Sequence, residues 1–137
     1  MPFSVAVLDE IAYGQLSSER ATELCAAAFS ACNLDVNRAG EVSVALVNLS
    51  VVRELNLKFR RIDSPTDVLS FEIDGLYGEM AGEIVVAPKY VGCEQAKVEE
   101  LVVHGALHLA GMEHGEDFAG SEMAVVQEAV LRDVGTR

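Results

Sequence analysis

The chain has 137 residues, half of them hydrophobic, and its 22 acidic against 10 basic side chains give a formal net charge of −12. That length suits one domain, spanning 1–137, with room for a real core, and the spread of apolar residues excludes a disordered chain. The charge excludes general electrostatic attraction to nucleic acid, so a polyanionic partner would need a local basic patch.

In chain order, residues 3–8 alternate as a strand does, and Ser17 or Ser18 can cap a helix that runs through the alanine-rich stretch to Cys32. The valines of 41–48 predict a second strand. Ser50 is placed to cap a helix with Val51, Leu55 and Phe59 as its inward stripe, broken at Asp63, Ser64 and Pro65. Residues 68–73 and 83–87 predict two more strands, joined as a hairpin through 74–82, and Pro88 opens a turn. A helix over 94–109 packs Val98, Leu101, Val102 and Leu109 inward. A last one, over 119–134, carries an apolar stripe of Met123, Val126, Val130 and Val134. The order β-α-β-α-β-β-α-α implies an α+β fold, a small mixed sheet of about four strands with packed helices. No run of about 18 apolar residues is present, and the N-terminus lacks an export pattern. The three cysteines, Cys25, Cys32 and Cys93, show no Cys-x-x-Cys pair, as expected of free thiols in a reducing cytoplasm.

All three histidines fall in His104-Gly105-Ala106-Leu107-His108-Leu109-Ala110-Gly111-Met112-Glu113-His114. His104 and His108 are one helical turn apart and project from one face; Gly111 can end the helix in a left-handed conformation and bring His114 back as a third ligand. Three protein ligands leave one position open on a tetrahedral zinc, the mark of a catalytic site. The spacing matches metzincin peptidases in histidines and glycine, but Gly105 stands where those enzymes carry a glutamate base, which argues against ordinary peptidase action. The cations Arg53, Lys58, Arg60 and Arg61 fall together; they are either a solvated helix face or, with Lys89, a phosphate-binding group at one cleft.

These residues resemble the YbeY-type endoribonucleases, bacterial ribosomal RNA maturation factors. The resemblance rests on the histidine segment, on Pro65-Thr66-Asp67-Val68-Leu69-Ser70-Phe71, on Leu55-Asn56 leading to Phe59-Arg60, and on Gly82-Glu83-Ile84. It implies one zinc per chain held by His104, His108 and His114, a functional arginine at Arg60, and cleavage of single-stranded RNA in 16S ribosomal RNA 3′-end maturation and ribosome quality control. It also implies small-subunit ribosomal proteins and an assembly GTPase as partners, and no membrane. Three departures stand out: Met112-Glu113 replaces the family's usual Tyr-Asp, Gly82-Glu83 its Gly-Asp, and the segment before the histidine helix is shorter. In the chemistry this implies, zinc acts as a Lewis acid or lowers the pKa of a bound water to about 7. Arg60 binds a phosphate oxygen unless Asp63 or Asp67 pairs with it. Glu113 and Glu83 are the candidate bases, and Asp67 and Ser70 the candidate groups that orient the ligating rings. Two other readings remain: a zinc-holding ribosome assembly factor without turnover, and a metal-dependent hydrolase of an amide or ester.

Overall fold

The computed structural model describes residues 3–74 and 80–135. Its elements run β1 (Val5–Asp9), α1 (Ser18–Ala31), β2 (Val42–Leu46), α2 (Leu49–Arg60), β3 (Val68–Asp74), β4 (Met80–Val86), α3 (Gln95–Leu109) and α4 (Glu122–Val134). Single 3-10 turns lie at Val36–Arg38 and Pro88–Val91. The sheet order is β1-β2-β4-β3. β1, β2 and β4 are parallel and β3 is antiparallel to β4, so the expected mixed four-stranded α+β architecture is present. The tip of the predicted hairpin, 75–79, lies outside the described residues.

Alternation along each strand sends one set of side chains to each face. Val5, Val44, Ile84 and Val86 join Leu24 and Phe29 of α1, Val102 and Leu107 of α3 and Met123 of α4 in the main core. Burying Leu24 and Phe29, both fully buried, contributes about 1.5–3 kcal/mol each. On the opposite face Ala45, Leu69 and Val85 meet Val52 of α2 in a smaller cluster.

Helix α1 starts where expected, with the Ser17 hydroxyl accepting the Arg20 N–H. Helix α2 departs from the sequence reading twice. Asn48, not Ser50, is its N-cap, and its buried residues are Val52 and Asn56. Asn56 turns inward because its amide donates to the Ser64 carbonyl at 2.9 Å, which rotates the inward stripe by one residue and leaves Phe59 57% exposed. Helix α4 begins at Glu122 rather than near 119, capped by the Ser121 hydroxyl.

Helix α3 sits close on the sheet because residue 105 has no side chain. A Cβ there would lie 2.5 Å from Ile84 Cγ2 on β4 and 3.0 Å from Ser70 Oγ on β3. The Ser70 hydroxyl instead donates to the Gly105 carbonyl at 3.0 Å.

Candidate metal centre

The last turn of α3 builds the site. Gly111, at φ +100°, places its N–H on the His108 carbonyl and the Met112 N–H on the Leu107 carbonyl, both at 3.0 Å. This paired closure is the Schellman cap, which needs a residue tolerant of positive φ. It turns the Met112 carbonyl back toward the helix, where it accepts His108 Nδ1–H at 2.9 Å. His114 Nδ1 donates to the Gly115 carbonyl at 2.7 Å, and His104 Nδ1 meets Gln127 Oε1 of α4 at 2.9 Å.

With every Nδ1 anchored on oxygen, the lone pairs available for a ligand are on Nε2. The three rings offer ligand atoms within 4.8 Å of one another, and the Nε2 atoms of His104 and His108 lie 3.2 Å apart. Two lone pairs facing at that distance repel unless a cation sits between them. Tetrahedral zinc with bonds of about 2.0–2.1 Å would hold two nitrogens roughly 3.3 Å apart. The donor set therefore fits a metal ion. Burial lowers the pKa of both His104 and His108, which favours the neutral imidazole that a metal requires. Phe118 packs edge-on against His104 and His114, with centroids 4.9 Å away in each case.

The histidines lie in a cavity of about 850 Å³ whose walls also include Arg60, Asp67, Ser70, Glu72, Glu100, Glu113 and Gln127. Of the candidate residues, His104, His108, His114, Arg60 and Glu113 all come together here. Asp63 is taken by Arg53 at 2.7 Å, and among the described residues Arg60 forms no ion pair. The rest of the proposed basic group is not in the cavity. Lys58 lies over the Phe59 ring, Arg61 is the left-handed C-cap of α2, and Lys89 reaches Asn48 Oδ1. Glu83 points to the opposite sheet face, where the Ser43 hydroxyl donates to it at 3.4 Å. Asp67 and Ser70 do not orient the histidines: Asp67 accepts the Val68 N–H, and Ser70 is engaged with Gly105. That task falls to Gln127 and two backbone carbonyls. No spacing in the sequence links residue 127 to residue 104.

The family model for endoribonuclease YbeY matches residues 9–135, which span every element after β1 and only the last residue of β1 itself. The chain belongs to the YbeY endoribonuclease family. An endoribonuclease YbeY from Rubrobacter xylanophilus is 60% identical over the whole of both chains. One from Carboxydothermus hydrogenoformans is 39% identical over 72% of this chain and 75% of its own. The solution structure of a Thermotoga maritima protein shares the fold with a TM-score of 0.55 and 30% identity, covering 95% of this chain and 88% of that one. Against the YbeY pattern, Met112 contributes a backbone carbonyl to the site and Glu113 keeps a carboxylate on the cavity wall. Among the described residues no helix is long and apolar enough to cross a membrane.

Proposed function

We propose that this chain is a zinc-dependent endoribonuclease that cuts single-stranded RNA during 3′-end maturation of small-subunit ribosomal RNA. The observation that carries the reading is the convergence of three Nδ1-anchored imidazoles in a cavity that also holds Arg60, which has no ion pair among the described residues, in a chain of the YbeY family. His104, His108 and His114 would hold the ion, which supplies Lewis acidity at a phosphodiester. Arg60, free of any carboxylate partner among the described residues, is available to bind nonbridging phosphate oxygens through two parallel N–H bonds and to offset the charge that develops on them. Glu113, a carboxylate on the cavity wall next in sequence to His114, would take the proton from the attacking hydroxyl as it bonds to phosphorus, while the P–O bond to the departing ribose oxygen breaks and solvent protonates that oxygen. Gly105 cannot carry a peptidase's base, since any side chain there would enter the sheet. In the cell this reading places the chain in the cytoplasm with small-subunit proteins and an assembly GTPase, in maturation and quality control of the ribosome.

The test is metal content measured beside cleavage of a labelled single-stranded RNA. His108→Ala is expected to lose metal and cleavage together. Arg60→Ala keeps the metal and loses cleavage by about 100-fold or more, the scale of one lost charge-stabilising donor. Full cleavage by Arg60→Ala would remove that residue from the mechanism. Bound zinc with no cleavage in the wild type would favour the assembly-factor reading.

A further inference from the structure

The two edges of the sheet are treated differently by the chain. At the β1 edge, the Val5 N–H is donated to Thr22 Oγ1 at 2.8 Å and the Val5 carbonyl accepts the Ser18 hydroxyl, so α1 blunts that strand. At the β3 edge no helix among the described residues supplies such a cap. The Ala87 N–H bonds the Asp67 carbonyl at 2.9 Å, which fixes the alternation of the antiparallel ladder. Leu69, Phe71 and Ile73 direct their backbone groups to β4, while Val68, Ser70 and Glu72 direct theirs outward. The Val68 N–H is taken by Asp67 Oδ1. The outward N–H and C=O groups of Ser70 and Glu72 have no partner among the described residues, along the cavity wall that both residues line.

An uncovered edge invites another strand unless charge, proline or a bulge prevents it. Here the flanking surfaces select a kind of strand instead. On the cavity side of β3 stand Asp67, Glu72, Glu100 and Glu113, four carboxylates against Arg60. On the other side Ile73 is 56% exposed and Phe59, 57% exposed, packs on Phe71 with centroids 5.1 Å apart. A strand added to β3 would alternate its side chains between these two surfaces.

We propose that the free edge of β3 docks an extended polypeptide segment in which basic and apolar residues alternate, the basic ones facing the carboxylates and the apolar ones facing Phe59 and Ile73. The main-chain ladder supplies affinity and the alternation supplies selectivity. Away from the three histidines and Arg60, a polyanion is the poorer occupant of this edge, because its phosphates would run beside Asp67, Glu72 and Glu100. The docking does not rest on ribonuclease activity, and its segment would lie along the wall of the same cavity.

The experiment is residue-resolved amide hydrogen exchange on the full zinc-loaded chain, with and without a short synthetic peptide of alternating lysine and valine. Ser70 and Glu72 amides are expected to slow by about tenfold or more, while Leu69 and Phe71, already bonded to β4, stay as they were. Two N-methylated peptides give the second readout. Methylation of the amides on one edge of the peptide is expected to weaken binding by about tenfold and methylation on the other edge to leave it intact, since only one edge meets β3. Glu72→Pro removes one outward N–H at an edge position that tolerates proline, and should weaken the peptide more than Glu72→Gln does. If that variant fails to fold, the methylated peptides on the wild-type chain still decide. Equal loss from both methylations, or no slowing at Ser70 and Glu72, overturns the proposal. Slowing by an oligoribonucleotide and not by the peptide also overturns it and assigns the edge to RNA. None of these outcomes alters the Arg60→Ala cleavage test.

Discussion

The two ends of α3 handle polar groups in opposite ways. Near its start, Glu99 lies buried against Arg20 of α1, with paired contacts of 2.8 and 3.1 Å and side chains only 6% and 5% exposed. The remaining donors of that guanidinium reach Glu23 and the carbonyls of Val134 and Gly135 at the end of α4. Every strong partner is supplied by the protein, and three helices are tied at one point. Toward the other end of the helix and just beyond it, each histidine has one nitrogen satisfied and one left for something else. A closed polar cluster locks the scaffold, and an open one beside it marks where a ligand completes the hydrogen-bonding and charge account.

The largest effect should come from breaking the closed cluster. Arg20→Ala leaves Glu99 buried and unpaired, and urea unfolding should show a loss of about 3–5 kcal/mol. The folded fraction should still bind one metal per chain. A loss below about 1 kcal/mol would mean that solvent reaches Glu99 and the contrast between the two ends is wrong. Next, Gly105→Ala forces α3 off the sheet. An overpacking cost of about 1–3 kcal/mol in thermal unfolding is expected, together with weaker metal binding because His104 and His108 move with the helix.

Gln127→Ala sharpens the comparison from the open side. Metal affinity should fall about 10–100-fold, while stability of the metal-free chain changes little. Gln127→Glu, which keeps the acceptor, should restore affinity in a competitive chelator titration; equal loss in both variants would show that Gln127 only packs. The smallest effect concerns Asp9 at the end of β1. Burial tends to raise its pKa, but N–H groups of Gly14, Tyr13, Ile11 and Ala12 outweigh this and hold it below the ordinary 3.8. A depressed carboxyl contributes stability above its unfolded pKa and loses it as pH falls through the folded value. Asp9→Asn should therefore be slightly less stable than wild type at pH 7, with the gap closing below pH 3.8.

Local signals in the sequence were enough for the strands, the four helices and the histidine cap, because each rests on periodicity or on a single glycine near the residues it serves. The three histidines that could hold a metal ion were legible for that reason. Gln127 was not, since it meets His104 only when α4 folds over α3. The basic group misled because proximity in sequence is not proximity on a helix. Lys58 is two residues from Arg60 and so points about 200° around α2 from it, and Arg61 has already left the helix. Asn56 misled in the other direction, as a polar residue whose inward placement depends on a carbonyl eight positions away.

The cap on α3 has a consequence for how this segment can vary. Met112 serves the site through its carbonyl, and Gly111 through its backbone angle, while the Met112 side chain packs against the main core; the number of residues between His108 and His114 therefore carries a great deal. One inserted or deleted residue between the second and third histidines would uncouple the carbonyl that ends the helix from the ring it orients.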